Sequence, residues 1–319
     1  MKLTKISMSH THNRKDWLSL VLTTAAMIWT AALPVQIVSA QGRPDLVWMP
    51  TAHSDLTHAT EQDPSFKAFV ANHSKPAKKP SSGGFVHVVY LVPADKTPRD
   101  DYAAALQKAI LEMQAFYQEE LGISRSTGRN AVGVTFKAFS PTVEVVVTPH
   151  DSAYYNANDQ AGQFEFFIRA VGDGFEATGG GFNDPDAVWA YYIDVDPACG
   201  QGTGGTSGVA LLPANDLRGL VGESNVPPCI GDPPDTGGVC RWIGGLGHEL
   251  GHAFGLPHPP GCDQGTCSAE AFFSLMFFGY TVYPDTYFLD EDKVRLEASS
   301  FFAERKIRRR TDCRGEPLN

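Results

Sequence analysis

The sequence predicts an α/β (α+β) domain built on a mixed, twisted sheet with helices packed against it. Three observations predict it. Short β-branched runs, Phe85–Val92, Val132–Phe139, Val143–Thr148, Ala187–Val195 and Val209–Pro213, are interleaved with helical patterns. Between the first two runs, Leu106, Ile110, Met113, Phe116 and Tyr117 recur at three- and four-residue spacing. The composition, 42% hydrophobic and 19% charged over 319 residues, is that of a globular chain.

Residues 1–40 read as an export signal. Lys2, Lys5, Arg14 and Lys15 form a basic leader, Trp17–Leu33 is an apolar core, and Val38-Ser39-Ala40 before Gln41 is a small-residue cleavage site. An apolar run of seventeen residues is near the lower limit for a membrane span, so an uncleaved anchor is the alternative. Residues 41–84 are polar, and Lys75–Gly84 reads as a linker. The segment is a tether or a short pro-segment, with Leu46–Met49 and Phe66–Val70 as its apolar patches.

The globular domain, 85–319, begins with the strand Phe85–Val92, ended by Pro93. Within it His87 reads as a packed strand residue. A helix over Arg99–Leu121 is closed by Gly122, and strands over Val132–Phe139 and Val143–Thr148 are separated by Ser140-Pro141. Gln163–Val171 is a second helix stopped at Gly172. Ala187–Val195 suits a buried central strand, and Val209–Pro213 a short strand at an edge. The acidic stretches Asn183–Asp186 and Asp194–Asp196 read as turns; their spacing does not reach the twelve-residue calcium loop, so a calcium ion has no sequence support. Residues 259–289, rich in Gly, Pro and aromatics, form an irregular wall. Leu289–Phe302 is a C-terminal helix with Asp290, Glu291 and Asp292 at its positive end, and Arg305–Arg310 a solvated basic terminus.

Charge and cysteine usage narrow the function. The leader holds four Lys/Arg and one Asp, which leaves 22 basic and 35 acidic residues after cleavage, a net charge of −13. That disfavours a nucleic-acid or anionic-membrane partner. All six cysteines lie in the second half, and an even number in an exported chain points to disulfides. Cys262–Cys267 and Cys229–Cys240 are the local pairs, leaving Cys199–Cys313.

The chemistry concentrates in Trp242–His258, which contains the pattern H-E-x-x-H-x-x-G-x-x-H. His248 and His252, four apart, project from one face of a helix and can bind one zinc ion. Glu249 stands where a general base acts on water activated by the metal. Gly255 turns the chain, Pro257 prevents the helix from continuing, and His258 returns as a third ligand. Three protein ligands leave an open position, as catalytic rather than structural zinc sites do. Five fixed residues at this spacing arise by chance in such a chain at a rate on the order of one in a hundred thousand. No cysteine precedes Cys199, so an N-terminal thiolate cannot plug the metal.

This stretch resembles the zinc signature of the metzincin metallopeptidases. That group also carries a methionine-containing turn beneath the zinc, and Ser274-Leu275-Met276-Phe277-Phe278-Gly279-Tyr280 lies at a suitable distance. Pro259 after the third histidine is similar to the serralysin-like pattern. Serralysins and astacins, however, carry tyrosine two residues after the methionine, where this chain has Phe278, and no glycine/aspartate nonapeptide repeats follow. The resemblance implies an upper sheet-and-helix subdomain, an active-site helix, and a smaller irregular lower subdomain with a C-terminal helix. It also implies one catalytic zinc and a secreted or periplasmic endopeptidase acting on protein or peptide substrates. Met276 then packs under the ligands, and Tyr280, four residues on, has a packing role. The competing readings are an exported zinc-binding module without catalysis, against which Glu249 counts, and a zinc hydrolase of non-peptide amides.

Overall fold

Strand β1 (Phe85–Val92) is the spine of the fold, and its last five residues are buried. It pairs in parallel with β5 (Ala187–Ile193) over seven positions, from Phe85 opposite Ala187 to Leu91 opposite Ile193. On its other side lie β3 (Lys137–Ala138), beside Phe85 and Val86, and β4 (Glu144–Val147), beside Val89–Val92. Beyond β5 comes the parallel β7 (Val209–Leu212), and beyond that the antiparallel β6 (Gly204–Thr206). The result is a mixed α/β fold on a six-stranded sheet of order β3-β1-β5-β7-β6, with β4 also on β1. The computed structural model describes residues 63–77, 84–123, 133–139, 143–156, 164–198, 203–223, 238–307 and 313, all within the unit Trp48–Asn319. The leader and its cleavage site lie outside the described residues, as do Cys199 and Cys229. Among the described residues no helix is long and apolar enough to cross a membrane.

Alternation along the strands sends apolar side chains to both faces, which explains why the central runs are continuously hydrophobic. Val86, Tyr90, Val188, Tyr192 and Leu212 face a layer formed by α2 (Asp100–Leu121), α5 (Ala214–Leu220) and α6 (Gly238–Ala253). Val89, Leu91, Trp189, Tyr191 and Leu211 face α4 (Glu165–Thr178) and α1 (Pro64–His73). The fold is therefore three-layered about the sheet. Helix α2 carries Asp100 and Asp101 at its positive end and buries Leu106, Ile110, Met113, Phe116 and Tyr117, the stripe that its sequence spacing predicts. Each such side chain contributes roughly 1.5–3 kcal/mol of hydrophobic stabilisation.

Several boundaries differ from expectation. Helix α1 falls inside the polar segment: the Asp63 carboxylate accepts from the amides of Ser65 and Phe66 at its N-terminus, and Phe66 is fully buried. The packed body thus extends upstream of Phe85. Helix α4 does not stop at Gly172 but runs to Thr178 and ends at Gly179, with φ of 70°. Tertiary contact explains the override, because Gly174 is where the ring of Tyr191 lies against the helix. The run 132–139 splits at the buried Phe136: β2 (Val134–Thr135) pairs with β8 (Ala303–Glu304), and only β3 joins the main sheet. Strand β7 is not an edge strand, since β6 from the Gly/Thr-rich stretch lies outside it.

The acidic turn Asp194–Asp196 holds ion pairs. Lys96 lies 3.0 Å from Asp194, and Arg218 lies 2.9 Å from Asp196. A short helix, α3 (Ser152–Tyr155), is capped by Asp151. After α6 the chain is irregular, with α7 (Ala269–Phe272), a 3-10 turn over Phe278–Val282 and α8 (Asp290–Ala298). The Arg305 guanidinium is not merely solvated, because its Nε donates to the Thr135 carbonyl at 3.2 Å. Among the described residues the disulfides are Cys262–Cys267, as expected, and Cys240–Cys313, which rules out the expected Cys229–Cys240 and Cys199–Cys313 pairs. The Cys240–Cys313 bond ties the start of α6 to the C-terminal segment across 73 residues, a contact set by the fold and not by local spacing.

Candidate metal centre

Helix α6 is buried from Val239 to Ala253, with Trp242, Leu246 and Leu250 in the core beneath the sheet. It ends in a Schellman motif: the Gly255 amide donates to the His252 carbonyl and the Leu256 amide to that of Gly251, both at 2.9 Å. Gly255 has φ of 90°, which an L side chain rarely adopts. The motif reverses the chain and brings His258 back beside the helix.

His248 and His252 are buried, with ring centroids 4.6 Å apart and planes at 89°. Their Nε2 atoms lie 3.1 Å apart. The His248 Nδ1 donates to the Leu275 carbonyl at 2.7 Å, and the His252 Nδ1 to the Leu256 carbonyl at 2.8 Å. A carbonyl only accepts, so each Nδ1 carries the hydrogen, which leaves each Nε2 as the atom that can face a metal ion. At this separation the two Nε2 atoms can share a proton or bind one metal ion between them. His258 completes the cluster, its ring 5.4 Å from His248 and 4.8 Å from His252. Its Nδ1 lies 2.7 Å from the Asp263 carboxylate. One nitrogen from each of the three histidines lies within 4.8 Å of the others, so the trio could hold a metal ion. This donor set fits zinc, which takes imidazole nitrogens and whose histidine ligands donate their other N–H to carbonyl or carboxylate.

Glu249 is fully buried on the same helix. Its carboxylate and that of Asp216 on α5 both lie near Tyr192 on β5. Burial foremost, then the Asp216 and Glu249 carboxylates, push the Tyr192 phenol well above its ordinary pKa. Neither residue carries a motif, so the sequence offered no signal for them. Asp263 was also missed, although its place inside the C-x-x-x-x-C loop just after His258 was a usable cue.

Met276 is buried in a turn where the amides of Phe277 and Gly279 both donate to the Ser274 carbonyl, at 3.1 and 2.9 Å. Its sulfur lies against Gly251, the residue immediately before His252 on α6. Tyr280 is buried and sets its ring 5.1 Å from that of His248. The Arg241 guanidinium stacks over Trp242 at 3.8 Å and stands 5.4 Å from the Tyr280 ring. His87, far from this group in the sequence, is stacked between Phe139 and Trp189 at 4.3 and 4.5 Å, and burial lowers its pKa.

Pro259, next to His258, helps line a cleft of about 690 Å³ whose other walls include Pro260, Ala271, Leu289, Glu270 and Asp290.

No protein-family profile and no curated protein matches the chain. Among solved structures, wild type OgpA from Akkermansia muciniphila is similar at 19% identity in two crystal forms, with TM-scores of 0.46 and 0.42. Catalytic inactive OgpA in complex with an O-glycopeptide (glycodrosocin) substrate is similar at 18% identity and a TM-score of 0.45. Each alignment covers 72% of this chain and 64% of the other, so the chain matches less than two thirds of those proteins' length.

Proposed function

We propose that the chain is an exported zinc metallopeptidase of the metzincin type. His248, His252 and His258 would hold one zinc ion, and Glu249 would act as the general base in peptide-bond hydrolysis. The observation that carries this reading is the convergence of three imidazoles, two with Nδ1 committed to backbone carbonyls and the third to a carboxylate. A histidine cluster serving only to pack has no need to aim its Nε2 lone pairs at one point.

When bound, zinc supplies Lewis acidity, polarising a carbonyl and lowering the pKa of water toward about 7. The protein's own groups do the rest. Glu249 takes a proton from the attacking water and delivers it to the leaving amine. Its burial in α6 excludes bulk solvent from that proton path. The Leu275 and Leu256 carbonyls fix the tautomers of His248 and His252. Met276 and Tyr280 support the cluster from below by packing against Gly251 and His248. The cleft beside Pro259 offers room for a peptide substrate. The disulfides accord with an oxidising, exported setting.

Hydrolysis of casein or a peptide library, with and without a chelator, tests the proposal. Cleavage that stops on chelation and returns with added zinc is the expected result. Zinc uptake without cleavage of any peptide would favour a non-catalytic zinc module, and turnover of small non-peptide amides alone would reassign the substrate.

A further inference from the structure

We propose that Asp263 is the positioning residue for the third histidine, and that the Cys262–Cys267 disulfide is what keeps Asp263 in place. The inference rests on the zinc reading of the histidine trio and adds to it the device that presents His258.

The three histidines are not held alike. His248 and His252 sit on α6, whose hydrogen-bonded backbone fixes their Cα positions, and their Nδ1 partners are backbone carbonyls. His258 lies beyond the Schellman turn, outside any helix or strand. Its ring is oriented by the edge of Phe277, at 5.3 Å and 86°, and by the Asp263 carboxylate at 2.7 Å. Asp263 is the one anion among the three Nδ1 partners. A carboxylate on the far nitrogen fixes the ring and increases the electron density of the nitrogen that faces a metal.

Asp263 belongs to the stretch 259–267, which forms neither helix nor strand yet is closely cross-tied. The Cys262 amide donates to the Pro259 carbonyl at 3.1 Å, the Gly265 amide to that of Cys262 at 2.8 Å, and the Thr266 amide to that of Gly261 at 2.8 Å. The Cys262–Cys267 bond closes the loop over five residues. Asp263 is the first residue inside that ring, so its Cα follows the half-cystine at Cys262, which is buried. The Asp263 side chain is itself about 38% exposed, so its position is set by the backbone of this hydrogen-bonded, disulfide-closed loop more than by packing of the side chain.

The test is zinc affinity, measured by competition with a chromophoric chelator on the full chain, together with the melting temperature of the metal-free protein. Asp263→Ala is expected to weaken zinc binding about 10- to 100-fold, with the metal-free melting temperature unchanged. Asp263→Asn, which keeps an acceptor but loses the charge, should fall between Ala and wild type. Cys262→Ser with Cys267→Ser should weaken zinc binding in the same direction. Adding Asp263→Ala to that pair should cost little more, because both changes act through one contact. Wild-type zinc affinity in Asp263→Ala overturns the proposal, and full additivity of the loop and Asp263 changes overturns its disulfide half. A wild-type chain that takes up no zinc, or a His258→Ala variant that binds it unchanged, overturns the metal reading as well. Where wild type holds zinc and His258→Ala loses it, an unchanged affinity in Asp263→Ala counts against the role of Asp263 alone.

Discussion

The sulfur of Met276 lies against the backbone of Gly251, so closely that a side chain at position 251 would overlap it. The Met276 turn is thereby seated directly on the helical turn that carries His252. Gly251→Ala forces one of the two to move. It should destabilise the protein by about 1–3 kcal/mol, the usual cost of overpacking, and weaken zinc binding. A thermal melt and a zinc titration of the variant check this. Met276→Leu, close in volume, should cost under about 1.5 kcal/mol and leave the identity of the bound metal unchanged.

Glu249 has no place in the ligand set of the proposed centre. Glu249→Ala should therefore retain zinc and lose turnover by about 100- to 10,000-fold, the range of general acid–base catalysis. Measured kcat for peptide cleavage beside metal content decides it; wild-type-like hydrolysis would remove Glu249 from the mechanism.

The Cys240–Cys313 bond closes a loop of 73 residues and joins the helix bearing His248 and His252 to the chain terminus. On the chain-entropy account such a cross-link stabilises by roughly 4 kcal/mol. Replacing both cysteines by serine should lower the denaturation midpoint accordingly. Losing the short Cys262–Cys267 ring should cost less, because it closes only five residues.

Asp292, buried in the first turn of α8, has its carboxyl pKa raised from 3.8 to about 6, foremost by burial and opposed by a hydrogen bond from the Leu289 backbone. A raised carboxyl pKa means that the folded state binds the proton more tightly. Its effect favours folding below about pH 3.8, is lost as pH climbs to about 6, and stays absent above. Asp292→Asn should thus stabilise the protein above pH 6, by at most about 3 kcal/mol, and flatten the decline between those values. Urea denaturation of both proteins at pH 4 and pH 7.5 measures it; equal gains at the two pH values would show that the Asp292 carboxyl does not titrate in that window.

What the sequence made legible was local or periodic. Phe85–Val92 read as a strand and Ala187–Val195 as a buried one because continuous β-branched and aromatic runs have few other uses, and α2 followed from its three-and-four spacing. The order of residues around His248, His252 and His258 was legible for a similar reason, since the motif encodes one helical turn and one glycine reversal. Features set by distant partners were not legible. Gly172 looked like a stop, but Tyr191 packing on Gly174 carries α4 past it. Gly204-Gly205-Thr206 has little strand propensity and is a strand because β7 and α6 flank it. The partner of Cys240 is 73 residues away, beyond the reach of spacing arguments. Asp263 had a cue in its place inside the Cys262–Cys267 loop, but its contact with the His258 ring is set by how that loop folds back.

Metal analysis joined to zinc-edge X-ray absorption on the purified chain bears most directly on the central claim. One zinc per chain, with three imidazole nitrogens at about 2.0–2.1 Å and loss of that signal in His258→Ala, is the predicted result. A substoichiometric metal, or a nitrogen shell that survives His258→Ala unchanged, would contradict it.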